Sequence, residues 1–160
     1  MSLTDINIRE KDFHNKLQSK KKGRFENIFY KAIYNSSEDF FKYLKNYAKN
    51  SFILDYGCGV GSFVEKVAEY NPEKITGIDI SEVSIEKAKK NTRELKIETE
   101  FKVENCEKTS FHDNSFDIVY GSGIIHHLQI EKSLNEILRI LKPHGNLLVC
   151  FHFLQLKVLL

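Results

Sequence analysis

The chain has few cysteines, few prolines and no long apolar run. Cys58, Cys106 and Cys150 are odd in number and widely spaced, which suits neither a disulfide framework nor a zinc knuckle. A reduced, cytoplasmic setting is the default that follows. The two prolines, Pro72 and Pro143, fall where helical patterns stop, because proline disfavours helical geometry in the residue before it. No apolar stretch approaches the ~20 residues that cross a bilayer, and Met1-Ser2-Leu3-Thr4-Asp5 lacks the basic-then-apolar order of a signal peptide. Internal repeats and a second domain are also missing. Neither charge sign dominates: the net charge is +2, with +5 over residues 1–50 and −3 over 51–160. A basic amino-terminal part can steer anions or nucleic acid, or simply be solvated helix faces. The 160 residues, 41% of them hydrophobic, suffice for one domain with its own core.

What is present is regular alternation. Residues 1–12 mix charge and polarity and read as loose. A basic cluster, Lys20, Lys21, Lys22 and Arg24, precedes an apolar stripe of helical spacing at Phe25, Ile28, Phe29, Ala32 and Ile33. Ser36 with Asp39 resembles a capping box and opens a second helix with Phe40, Phe41, Leu44, Tyr47 and Ala48 on its buried face. From Phe52 strands and helices alternate. Strands are expected at 52–56, 75–80, 99–103, 116–121 and 146–151, and helices at about 61–70, 82–95 and 130–142. The last helix would have Ile130, Leu134, Ile137, Leu138 and Leu141 on one face. Repeated strand–helix units imply an α/β fold, a doubly wound, mainly parallel sheet with helices on both faces.

The chemistry gathers where strands end. The run Asp55-Tyr56-Gly57-Cys58-Gly59-Val60-Gly61 breaks a buried strand into a glycine turn that opens a helix. Glycine lets the backbone turn tightly and approach a ligand with no Cβ in the way, and the helix start adds unpaired N–H groups. On its own such a turn is also compatible with a ligand-free connection. Asp79 follows Gly57 by 22 positions, which in a βαβ unit sets a carboxylate at the carboxyl edge of the next strand, where it can accept ribose hydroxyl hydrogens. The other reading is an acid at a helix N-terminus. Gly121-Ser122-Gly123-Ile124-Ile125-His126-His127 ends the fourth strand near the switch in strand order, where open α/β sheets bind ligands. An adjacent His-His pair is not a zinc signature, since neighbours do not face one site, and no metal site is expected.

These motifs, in this order over about residues 50–150, resemble the Rossmann-like (class I) S-adenosylmethionine (SAM) dependent methyltransferases, in particular a small type-11-like methyltransferase domain. The dinucleotide fingerprint G-x-G-x-x-G is not met, because Ser62 occupies its third glycine position. A carboxylate at Asp55 would repel pyrophosphate and attract the ammonium of a methionine moiety. The resemblance implies a SAM cofactor, with S-adenosylhomocysteine (SAH) as product. Asp55, Gly57, Cys58, Gly59 and Gly61 would lie against the methionine end, Asp79 with Ile80 at the ribose, Asn105, Cys106 and Glu107 at the adenine, and Gly121 and Ser122 along the methionine backbone. In that family an acid stands where this chain has Asn105. His126 or His127 would be the base facing a small-molecule methyl acceptor, against a capping or packing role. Asp117 would fix loop geometry. Lys142-Pro143-His144-Gly145-Asn146 resembles a scaffold turn in which His144 replaces a glycine of positive φ.

The resemblance also implies a domain division, 1–50 as a helical cap over the cofactor mouth and 51–160 as the SAM-binding domain. The tail Phe151–Leu160 shows no turn signal, and joined to strand five it would run for 15 residues, against the usual 5–6 or so. The last antiparallel strands of the family are therefore expected to be absent, leaving an open edge suited to a homodimer. The resulting expectation is a methyltransferase acting on O, N or C of a small molecule. The alternatives are a shortened, non-catalytic SAM-binding protein, or an RNA-modifying enzyme that uses the Lys20–Arg24 cluster.

Overall fold

The computed structural model describes residues 5–19, 38–150 and 155–159. Helix α1 spans Asp5–Ser19 and α2 spans Glu38–Tyr47. Then follow β1 (Phe52–Tyr56), α3 (Val64–Ala68), β2 (Lys74–Asp79), α4 (Glu82–Asn91), β3 (Glu98–Val103), β4 (Phe116–Ser122), a 3-10 turn (Ile125–His127), α5 (Ile130–Ile140), β5 (Leu141–Cys150) and β6 (Gln155–Leu159). The sheet order is β3-β2-β1-β4-β5-β6. The first five strands are parallel. The chain moves outward from β1 to β3 and then crosses back to place β4 on the other side of β1. The crevice beyond the carboxyl ends of β1 and β4 is thus the topological switch point.

Side chains alternate across the pleat. Ile53, Ile118, Tyr120 and Leu148 point to one face and pack with Phe40, Phe41 and Leu44 of α2, Val64 and Val67 of α3, and Ile85 and Ala88 of α4. Leu54, Tyr56, Val119, Leu147 and Val149 point to the other and pack with Ile137 and Ile140 of α5. Helices therefore cover both faces, as expected. No helix among the described residues is long and apolar enough to cross a membrane.

Four expectations need correction. The segment read as loose forms most of α1, whose polar side chains find partners on the domain body. Tyr47 is 45% exposed, since it stacks on Tyr43 instead (ring centroids 4.7 Å). On α5 the stripe Ile130, Leu134 and Leu138 is exposed, and Ser133, Glu136, Ile137 and Ile140 are buried. A polar clamp rotates the helix: Glu136 accepts from the Thr109 N–H (2.8 Å), the Thr109 hydroxyl (2.6 Å) and Arg139 (2.6 Å), and Arg139 also donates to the Phe111 carbonyl (2.8 Å). Finally, an antiparallel strand is present. β6 pairs with β5, with Leu147 opposite Val158 and Cys150 opposite Gln155, so the β5 edge on which the dimer expectation rested is taken. The stripe Phe25–Ile33, the cluster Lys20–Arg24 and Ser36 of the capping box lie outside the described residues.

At the α5–β5 junction the pairing of β4 with β5 shifts register between Phe116 and Ile118, and His144 takes a φ of +62°, the glycine-like conformation expected there. Asp117 anchors this corner. Its carboxylate accepts the Phe52 N–H (2.9 Å) and receives Lys142 at 2.9 Å on both oxygens, the geometric role read for it from the sequence.

Ile118 is 1% exposed at the centre of the sheet. Ile118→Ala should lower unfolding free energy by about 2–5 kcal/mol. Urea titration should show a lower midpoint with an unchanged slope.

Candidate active site

Gly57, Gly59 and Gly61 adopt φ of +75°, +54° and +74°, values in the left-handed region that only glycine takes freely. Their surroundings differ. A Cβ on Gly57 would lie 2.5 Å from Ile124 Cγ1, and one on Gly61 would lie 3.3 Å from Ala88 Cβ in α4. A Cβ on Gly59 would meet nothing within 4 Å. Gly57 and Gly61 are therefore demanded partly by packing, and Gly59 is the member of the turn whose backbone borders open space.

Two carboxylates organise the turn. Asp79, at the end of β2, accepts the Gly59 N–H (2.9 Å) on one oxygen and the Ser81 N–H (2.9 Å) on the other. It ties the β1 turn to the start of α4, where Ser81 caps by accepting from the Ser84 N–H (3.1 Å). The Cys58 N–H donates to the Ile78 carbonyl (2.8 Å) and so extends the β1–β2 contact into the turn. Asp55 lies beneath it, 4% exposed, beside Gly77 of β2 and Tyr120 of β4 in the strand register. Burial pushes the Asp55 carboxyl up to about 7; the neighbouring Tyr120 hydroxyl tempers that rise and the Asp79 charge adds to it. The Tyr120 hydroxyl is shut off from solvent and makes no hydrogen bond of good geometry. Among the described residues, no cationic side chain pairs with this buried carboxyl and its neighbouring hydroxyl.

Beyond β3, the Asn105 amide oxygen accepts the Glu107 N–H (2.9 Å), and its nitrogen donates to Asn7 of α1 (3.2 Å). Asn105 thus closes its own loop as well as facing the edge. Glu107 accepts the Gln129 N–H (3.0 Å), which starts α5. Cys106 is buried and its carbonyl accepts the Tyr56 hydroxyl. Burial holds the Cys58 and Cys106 thiols well above the ordinary range, which disfavours the reactive thiolate. At the end of β4, Gly121 lets Ile124 approach: a Cβ there would meet Ile124 Cγ2 at 2.8 Å and the Tyr56 carbonyl at 3.1 Å. His126 is exposed and His127 half-buried, their rings 3.9 Å apart.

The residues singled out from sequence sit after successive strands on one edge. Asp55 lies near the end of β1 and Gly57–Gly61 follow it, Asp79 ends β2 with Ile80 just beyond, Asn105–Glu107 follow β3, and Gly121 and Ser122 end β4 with the histidines in the 3-10 turn after it. Sequence reasoning missed Tyr120, Ile124 and the α1 residues Asn7 and Glu10. Only Tyr120 carried a usable signal, a hydroxyl immediately before the strand-four glycine. The described residues hold no cluster of three or more metal-ligating side chains.

Comparison with known proteins decides the family. The methyltransferase-domain profile matches residues 54–149. The chain belongs to that family. Phosphoethanolamine N-methyltransferase 3 of Arabidopsis thaliana is 36% identical over 98 residues, 61% of this chain and 20% of that protein. The 24-methylenesterol C-methyltransferase 3 of the same plant is 33% identical over 104 residues, 63% of this chain and 29% of that protein. The chain thus spans less than a third of either relative. Among solved structures, Haemonchus contortus phosphoethanolamine N-methyltransferase 1, in complex with phosphoethanolamine and SAH, superposes with a TM-score of 0.71 at 17% identity, over 93% of this chain and 33% of that one. That likeness is one of fold.

A methyltransferase-fold crevice with an acid at its base gives a direct test. Asp55 has a folded value, about 7, above its ordinary 3.8. The stability such a group contributes is complete below the unfolded value and is lost as pH rises through the folded one. Asp55→Asn removes the titrating group. In melts without ligand, the variant's stability advantage should therefore widen from pH 3.8 to about 7 and level off above, reaching a few kcal/mol at most.

Proposed function

We propose that the protein is a SAM-dependent methyltransferase that moves a methyl group to an O, N or C atom of a small molecule. The observation that carries this reading is the Asp55–Tyr120 pair beneath the glycine turn: a buried carboxyl held up near 7 beside a buried hydroxyl, with no cationic side chain on either among the described residues. The α-ammonium of a methionine moiety would supply the cation. Gly59 provides an approach without a Cβ, and Asp79 stands where ribose hydroxyls would be accepted while it holds the turn. Asn105, Cys106 and Glu107 border the adenine end, and the Gly121 and Ser122 backbone borders the methionine.

SAM supplies a methyl group already activated on a sulfonium. The chain's task is then positioning: to align an acceptor in line and exclude water, which can supply about 7–11 kcal/mol. His126 or His127, at the rim, would take the acceptor's proton. The relatives act on phosphoethanolamine nitrogen and on sterol carbon by their names, so these two acceptor classes are the first probes. The buried thiols suit a reduced, cytoplasmic compartment.

Calorimetric titration with SAH tests the reading. SAH should bind, NAD should not, and Asp79→Asn should weaken SAH by at least about tenfold, ~1.4 kcal/mol. Because the ammonium would ionise Asp55, SAH affinity should rise with pH up to about 7. Equal binding of NAD, or SAH binding indifferent to Asp79, would overturn it.

A further inference from the structure

Helix α1 lies across the carboxyl edge and meets it through a row of polar side chains. Asn7, Glu10, Lys11 and Asn15 share one helix face by their spacing. Lys11 pairs with Glu82, and Asn15 meets Glu82 and Ser81 at the start of α4. One turn earlier the contacts converge on the loop between β4 and α5. Asn7 donates to Glu107 (3.4 Å), the same carboxylate that accepts the Gln129 N–H. Glu10 places its Oε2 3.1 Å from His127 Nδ1; that oxygen is shielded from solvent, and the contact is an ion-pair approach, not an aligned hydrogen bond. Two residues a turn apart on α1 therefore bear on the His127 loop, Glu10 directly and Asn7 by way of Glu107.

We infer that Glu10 is the positioning residue for His127, and that α1 thereby sets which imidazole nitrogen serves as base. This rests on the methyltransferase reading above and specifies which histidine of that site works and how. A carboxylate only accepts hydrogen bonds. Opposite Glu10, Nδ1 must carry the proton, which leaves the Nε2 lone pair as acceptor. In the transfer, the acceptor's lone pair forms the bond to the methyl carbon. The electron pair of the broken carbon–sulfur bond stays on sulfur, and the acceptor's proton passes to Nε2. The resulting imidazolium is stabilised by the Glu10 charge. His126 is exposed, and its ring lies against that of His127. Because the carboxylate comes from α1, proton removal depends on that helix being seated.

The test uses the full chain at alkaline pH, where imidazole is neutral. Nitrogen-15 spectra report the His127 tautomer, His127→Asn provides the assignment, and SAH titration is run on the same samples. The wild type should show the Nδ1–H form. Glu10→Gln, whose amide can donate as well as accept, should lose that exclusive signature and retain wild-type SAH affinity. A wild-type His127 in the Nε2–H form overturns the inference without any variant, and so does a tautomer unchanged by Glu10→Gln; both leave the cofactor reading intact if SAH binds. Absence of SAH binding in the wild type overturns the methyltransferase reading and the role of Glu10 with it.

Discussion

The site depends on the two hydrogen bonds accepted by Asp79. Without them the glycine turn after β1 and the first turn of α4 are separate pieces of chain. With them the two loops become one rigid edge, because the carboxylate gives one oxygen to Gly59 and the other to Ser81 at 2.9 Å each. Hydrogen bonds to a charged acceptor contribute about 1.5–3 kcal/mol each, enough to hold three left-handed glycines in place. The parallel order β2-β1-β4 then brings Asp55 and Tyr120 together under that edge. An acid that would be solvated on an exposed turn is buried here, and its raised proton affinity follows from the topology.

The same edge explains why the glycines are not equivalent. Gly57 and Gly121 both give way to Ile124, a side chain that seals the space between the β1 turn and the end of β4. Gly61 admits α4, whereas Gly59 faces open space. Three glycines in alternate positions thus serve two packing contacts and one approach. The polar helix α1 adds the last wall. Its ion pairs are partly exposed and individually weak, so its docking rests on several small contacts around Glu82, Glu107 and His127.

Much of this was legible from residue pattern. β1 was read at its observed bounds, since an apolar run that ends in an acid and a glycine turn admits few other foldings. The edge residues were legible because parallel strands must all end on one side. What escaped was decided by tertiary contacts. α1 is rich in charged and polar residues, so little local pattern marks it; its partners lie far along the chain, at Glu82 and Asn105. β6 has no glycine, proline or asparagine before it, and its pairing with β5 follows from the demand of an unpaired edge. The rotation of α5 follows from Glu136 and Arg139, a buried polar clamp that outweighs the apolar stripe Ile130–Leu134–Leu138. Two roles remain proposals that sequence and fold suggest together: Asn105 at the adenine, whose oxygen also serves its own loop, and the histidines at the rim.

The most direct measurement is the carbon-13 carboxyl resonance of Asp55 followed across pH, free and saturated with SAH. The account predicts titration near 7 in the free protein and an ionised carboxylate throughout that range in the complex. A resonance that titrates identically with and without SAH would contradict it, because no ammonium would then have reached the acid at the base of the crevice.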